Sequence, residues 1–367
     1  MAPPERPRSR DDFDIAIICA LQIEADAVLG IFDGFWEDEN SYGKVAGDFN
    51  AYTTGWIGKH NIVLAHMPGM GKGASAGVAA SFRSSFNGIR LGLVVGICGG
   101  VPSVVEDGKE MLLGDVVIST GIVQFDLGRQ YSSGVVVKNT LEDRLGRPNG
   151  EIRSHLQKIK GMRGYKQLKD NGLAYLAALF EEGDFETWKY PGVSEDILYP
   201  PTYRHKHQQV ETCSVCARCQ NREDKVCDVA LESSCTELKC DIEEQVARKR
   251  LQNIEATDTS GEAKIAPTLE IHFGRIASGD LVMKSGFHRD KIAKDEEVIA
   301  FEMEGAGVWD NFPTVVMKGV CDYADSHKNK TWQKYAAASA AACTKAFLGQ
   351  WSAIDRQPRG MAAASNH

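Results

Sequence analysis

Short apolar runs recur along the chain with the length and β-branched content of buried strands: Asp14–Ala20, Ile62–Ala65, Leu91–Ile97, Asp115–Ile118, Ile271–Ala277, Val298–Phe301 and Thr314–Met317. Between them, Glu24–Phe32, Gly73–Phe86, Glu304–Trp309 and Trp332–Leu348 are Ala-rich or repeat their apolar positions about every 3.6 residues, as helices laid on a sheet do. The alternation predicts an α/β/α sandwich. Val45–Ile62 differs, because polar and apolar positions alternate up to Gly58-Lys59-His60-Asn61; this reads as a hairpin and makes the central sheet mixed, with helices flanking it. From about 128 to 266 the rhythm breaks. That stretch is charged and turn-rich and contains Pro200-Pro201, so it reads as a large insertion within one domain spanning 12–350. Inside it, Asn171–Glu182 and Asp241–Ile254 have the pattern of amphipathic helices. Residues 1–11 and 351–367 are expected to be disordered.

Composition narrows the function. A chain of 367 residues, 43% of them hydrophobic, can bury a large core, which excludes a disordered or collagen-like protein. Its 42 basic and 50 acidic residues give a net charge of −8, unfavourable for phosphate backbones and anionic membranes. The start lacks the apolar core of a signal peptide, and no run reaches the roughly 18 apolar residues of a membrane span. A cytoplasmic enzyme without nucleic-acid or membrane partners is expected. Of the ten cysteines, Cys19, Cys98, Cys321 and Cys343 sit among apolar or small residues and read as buried thiols. The other six, Cys213, Cys216, Cys219, Cys227, Cys235 and Cys240, crowd into 28 residues just after His205 and His207. A structural zinc on Cys213 and Cys216 with a later pair such as Cys235 and Cys240, or with His205 or His207, is one reading; disulfides and free thiols are the others. None of them implies catalysis.

Three acidic constellations stand at strand ends, where α/β sheets gather ligands: Ala20-Leu-Gln-Ile-Glu24, Phe301-Glu-Met-Glu-Gly-Ala306 and Cys321-Asp-Tyr-Ala-Asp325. With Gly69-Met-Gly-Lys-Gly73, Val95-Gly-Ile-Cys-Gly-Gly-Val101, Gly114-Asp-Val-Val-Ile-Ser119 and Ser278-Gly-Asp280, they make the chain resemble the purine nucleoside phosphorylase and uridine phosphorylase superfamily. Within it, the methylthioadenosine/S-adenosylhomocysteine nucleosidase branch is the most similar, over roughly 12–126 and 268–350. The insertion is similar to one that accompanies this domain in fungal proteins, so a fungal-type purine nucleosidase of nucleoside salvage is expected. Cleaving an N-glycosidic bond develops positive charge on the ribosyl ring and negative charge on the departing base, and needs a proton donor, anionic groups by the sugar and a nucleophile. The resemblance implies Asp322 as the acid at purine N7 and Glu24 as the base that deprotonates water. It implies Glu304, Met303 and Glu302 at the ribose, Cys98, Gly99 and Val282 with Phe301 around the base, and Trp332 closing over the 5′ side. It also implies a symmetric homo-oligomer and no catalytic cofactor.

The nucleophile is the discriminating point. A phosphate dianion needs arginine forks or nests of backbone N–H groups. Phosphorylases resembling this chain carry arginines where Glu24 and Val94 stand here, and a hydroxyl at Ile97, which favours hydrolysis over phosphorolysis. A nucleosidase acting on ATP or another 5′-substituted adenosine, with Lys284, Lys328 or Lys330 meeting the phosphates, and a non-enzymatic nucleotide sensor remain as alternatives. Gly69–Gly73 is no nucleotide P-loop, since His66 and Gly73 occupy its first-glycine and Ser/Thr positions.

Overall fold

The structure, a computed structural model, describes residues 3–36, 42–102, 110–132, 134–138, 140–258 and 269–352. Its strands are β1 (Ile15–Cys19), β2 (Gly34–Phe35), β3 (Ala51–Ile57), β4 (His60–His66), β5 (Leu91–Gly100), β6 (Val116–Gln124), β7 (Gly128–Tyr131), β8 (Gly134–Val137), β9 (Ile271–Ser278), β10 (Val298–Glu302) and β11 (Thr314–Asp322). Nine of them form one sheet in the order β10-β9-β6-β11-β5-β1-β4-β3-β2, while β7 and β8 pair separately. The sheet is mixed as expected: β1 runs parallel to β4 and β5, and β3 and β4 form the antiparallel hairpin, turning at Gly58 with φ +57°. An additional antiparallel pairing of β10 with β5 closes that end of the sheet on itself.

Strands β1 and β10 are buried at every position because helices cover both faces of the sheet, which explains their unbroken apolar runs. The helix Gln333–Gln350 lies on β5 and β11. Half of its buried residues are alanine, and a Cβ at Gly319 of β11 would collide with the Ala336 backbone carbonyl, so the strand can carry no side chain there. Strand β11 follows β5 in parallel register to Val320↔Cys98 and then slips, pairing Asp322 with Gly99. That irregularity sets the end of β11 beside the ends of β5 and β10, since Phe301 also pairs with Gly99.

The stretch read as an insertion has two parts. Helices Gly150–Lys160 and Met162–Glu181 contribute Ile152, Leu156, Ile159, Leu168, Leu176 and Leu179 to the main core. The expected helix Asn171–Glu182 is the second half of the latter. Asn149 caps the former by accepting from Ile152 N at 2.9 Å. From about 199 to 245 the chain forms a lobe of short turns whose own buried cluster is Cys216, Ala230 and Leu238. The helix expected over Asp241–Ile254 is broken into Ile242–Glu244 and Lys249–Asp258. The break serves Arg248, whose buried guanidinium donates to Tyr323 Oη and to the Pro102 and Met111 carbonyls.

Within the two ends, residues 3–11 and 351–352 are described. Ser9 caps a turn at Arg10–Asp12, and the carbonyl of buried Pro7 accepts from Tyr42 Oη at 2.9 Å. Trp351 is buried and stacks on Phe347; residues 353–367 lie outside the described ones.

Candidate active site

A cavity of about 380 Å³ opens at the ends of β1, β5, β10 and β11, within the size range of small-molecule sites. Glu24, Cys98, Gly99, Val282, Phe301, Glu302, Met303, Glu304 and Asp322 all line it. Three carboxylate-bearing segments far apart in the chain therefore meet at one place.

Each carboxylate is held differently. Glu24 sits in the first turn of the helix Gln22–Gly30, where its Oε2 accepts from Ala20 N and Leu21 N, both at 2.9 Å, and its Oε1 accepts from Ile97 N at 2.7 Å. Room for it is made by Gly96, where any Cβ would collide with the carboxylate. Glu302, at the end of β10, accepts from the backbone N–H groups of Glu304 and Gly305. Burial pushes its carboxyl up, Lys318 opposes this, and Glu304 adds to it. Glu302 thus braces the turn that presents Glu304. Asp322 accepts from Ala324 N at 2.8 Å, a bond made possible by the left-handed backbone of Ala324 at φ +51°. Asp325, in the same motif, lies away from this cavity and braces the loop: its Oδ1 accepts from His327 N at 2.8 Å and its Oδ2 is 3.6 Å from Arg289 Nη1.

The sequence reading missed Lys318. It lies in β11, four residues before Asp322, and is 1% exposed. Its Nζ is 3.0 Å from Glu304 Oε2 and 3.7 Å from Glu24 Oε1. Burial pulls this amine down, but Glu24, Glu304 and Glu302 outweigh it and leave it raised above its ordinary value. One ammonium thus bridges two carboxylates that would otherwise repel each other in a medium of low polarity. The available signal was a lone lysine in the apolar run Val315-Val-Met-Lys-Gly-Val320.

Several other readings can now be placed. Burial pushes the Cys98 thiol well above its ordinary value, with Lys318 opposing and Asp322 adding, so this is not an activated nucleophile. Lys72 of Gly69–Gly73 is taken up by Asp126 Oδ1 at 2.5 Å and Asp280 Oδ2 at 3.8 Å, while Gly71 N donates to Glu304 Oε1 at 3.4 Å. That glycine-rich turn therefore positions an acid, and its lysine is committed to carboxylates. Trp332 does not close over the cavity: it is fully buried in the core, packs edge-on against Tyr190 and Tyr335, and donates from Nε1 to the Glu195 carbonyl at 2.8 Å. Tyr190 and Glu195 lie between the helix Met162–Glu181 and the lobe, and Tyr335 lies in the helix Gln333–Gln350. Lys284, Lys328 and Lys330 all line the rim, as do Leu231, Glu232 and Ser233 of the lobe. Lys328 Nζ is 3.6 Å from Asp322 Oδ2, and Lys284 Nζ is 3.6 Å from Glu232 Oε1.

The cysteine cluster divides in two. Cys213, Cys216 and Cys227 form one group able to hold a metal ion, and Cys235 and Cys240 form another with His205 and His327. The combination of Cys213 and Cys216 with Cys235 and Cys240 is therefore not the one the fold makes, and His207 joins neither group.

Residues 14–171 match the family model of the phosphorylase superfamily. A nucleotide-binding leucine-rich repeat (NLR)-like protein of Hyaloscypha variabilis is 32% identical over 344 residues, or 92% of this chain; the chain spans only 29% of that protein's length. Among solved structures, futalosine hydrolase of Helicobacter pylori is similar over 93% of this chain and 99% of its own, with a TM-score of 0.52 at 15% identity. The 5′-methylthioadenosine/S-adenosylhomocysteine nucleosidase of H. pylori is similar over 92% and 98%, with a TM-score of 0.51 at 16% identity. At these identities the likeness is one of fold.

Proposed function

We propose that this chain, whose residues 14–171 match the phosphorylase-superfamily model, is a purine nucleosidase, hydrolysing the N-glycosidic bond of purine ribonucleosides to free base and ribose. The observation that carries the reading is the convergence of Glu24, Glu304 and Asp322 on one cavity, with Lys318 between the first two. In this reading Asp322 protonates the departing base, so that the base leaves neutral. Glu304 accepts from the ribose hydroxyls, and its negative charge favours the cationic ribosyl ring as the bond breaks. Glu24 has three backbone donors fixing its two oxygens; it retains acceptor capacity for a water proton and acts as general base.

Water rather than phosphate as the nucleophile is supported by the charge at the cavity floor. Lys318 already faces two carboxylates, and among the described residues no arginine lines the cavity. A phosphate dianion placed there would meet Glu24 with no fork to bind it. A cytoplasmic location and a symmetric oligomer accompany the reading.

A second substrate class is favoured by one specific observation: Lys284, Lys328 and Lys330 gather at the rim, where they suit the phosphates of a 5′-phosphorylated purine nucleoside. The test for both is chromatographic detection of free base after incubation with adenosine, inosine, guanosine, uridine, AMP and ATP, with and without inorganic phosphate. Base released from purines regardless of phosphate, together with ribose from nucleosides or 5′-phosphorylated ribose from AMP or ATP, is the expected result. Dependence on phosphate with ribose 1-phosphate as product would make the protein a phosphorylase, and binding without base release would make it a sensor.

A further inference from the structure

We propose that His205, Cys235, Cys240 and His327 form a structural zinc site that pins the cysteine-rich lobe to the loop that follows Asp322. The inference does not depend on the reaction assigned to the cavity. One ligand atom from each of the four residues lies within 4.8 Å of all the others. His327 Nδ1 is 3.5 Å from Cys235 Sγ and 3.9 Å from Cys240 Sγ. With Zn–S near 2.3 Å and Zn–N near 2.0 Å, a tetrahedral ion sets its sulfur and nitrogen ligands about 3.5 Å apart, so the side chains already stand at ligand spacing.

The histidines add two independent signs. On His327, the ring nitrogen away from the thiols, Nε2, is 3.2 Å from the Tyr203 carbonyl. That bond places the proton on Nε2 and leaves the Nδ1 lone pair facing the sulfurs, the outer-sphere arrangement that orients metal-binding imidazoles. His205 is buried and its Nε2 has no hydrogen-bond partner. An orphaned buried nitrogen is costly, and coordination removes that cost. The backbone is arranged to suit: Cys235 begins the short helix Cys235–Leu238, which ends at Lys239 in a left-handed conformation, φ +57°, and returns Cys240 N to Cys235 O at 2.9 Å. The two thiols, five residues apart, are thereby brought to one side.

The lobe also needs such a tie. Its buried cluster amounts to Cys216, Ala230 and Leu238, far too little apolar burial to order nearly fifty residues, and small units of this kind depend on metals or cross-links. His327 lies outside the lobe, two residues after Asp325, so the ion would join segments about ninety residues apart in sequence. The remaining thiols, Cys213, Cys216 and Cys227, form a separate three-ligand group that the test must set apart.

The experiment measures zinc by mass spectrometry in the full-length chain, in the double variant Cys240→Ser/His327→Ala and in the double variant Cys213→Ser/Cys216→Ser. The expected result is loss of one zinc per chain in the first variant and retention of that equivalent in the second, whose cobalt-substituted form shows the visible bands of a tetrahedral two-thiolate, two-imidazole centre. Equal zinc in wild type and the first variant, or no zinc in wild type, would overturn the proposal. Should the first variant fail to fold, alkylation of the wild type decides the matter. Cys235 and Cys240 should resist the reagent until a chelator is added, whereas equal labelling before and after, or a Cys235–Cys240 disulfide, would refute the site.

Discussion

The floor of the cavity is made by strand ends and its rim by loops, and the two hold charge in opposite ways. On the floor, Glu24, Glu302, Glu304 and Lys318 are each at most 5% exposed, and their charged atoms are committed to backbone N–H groups or to one another. On the rim, Leu281 is 64% and Val282 51% exposed, and the Lys284 side chain is 47% exposed beside a Glu232 side chain that is 82% exposed. Buried groups fixed by several bonds cannot reorganise when charge develops, which is what stabilising a transition state requires. Exposed lysines on loops adapt to a ligand at little cost and contribute little each. Under the proposed function, the chemistry falls to the floor and the choice of substrate to the rim.

The largest effects should follow from changing single atoms on the floor. Asp322→Asn deletes the proposed leaving-group acid and Glu24→Gln the proposed base; each is expected to lower kcat about 10²–10⁴-fold in a base-release assay while KM changes little. A wild-type rate in either variant would remove that residue from the machinery. Lys318→Met tests how the floor is held together. Removing the one cation between two buried acids should cost about 3–5 kcal/mol, read from urea unfolding, and a loss below about 1 kcal/mol would mean the acids do not depend on it.

Gly96→Ala sharpens the contrast without changing a charge. The added Cβ meets the Glu24 carboxylate, so kcat should fall by about 10²-fold through misplacement alone, whereas Gly77→Ala, in the helix Lys72–Ser85 with open space around it, should leave activity intact. The smallest effect belongs to the rim. Lys284→Ala with Lys330→Ala should raise KM for AMP or ATP by about two- to tenfold and leave kcat for adenosine unchanged, and a fall in kcat instead would erase the division of labour.

Much of this arrangement was legible in the chain because it depends on local pattern. Strands β1, β5 and β10 follow from apolar runs without an internal charge, β9 from a run interrupted by His272 and Arg275, and Glu24, Glu304 and Asp322 each stand at a predicted strand end. What escaped depends on pairing across the fold. Trp332 looked available because an aromatic residue after a motif carries no direction, and its burial is decided by Tyr190 and Glu195 in a turn-rich stretch whose packing has no periodic signature. Lys318 was hidden by its setting, since a single lysine in an apolar strand has meaning only once the acids 294 and 14 residues before it are brought within reach. His327 is a lone histidine in a loop until the lobe sets two thiols beside it.

The central claim is that this floor is complementary to a purine ribosyl cation. Calorimetric titration of the wild-type chain with a purine-linked cationic pyrrolidine, a stable mimic of that cation, tests it most directly. The account predicts binding at least about 10²-fold tighter than the matching neutral nucleoside, with most of the advantage lost in Glu304→Gln. Equal affinity for the mimic and the nucleoside, or no binding of either, would contradict it.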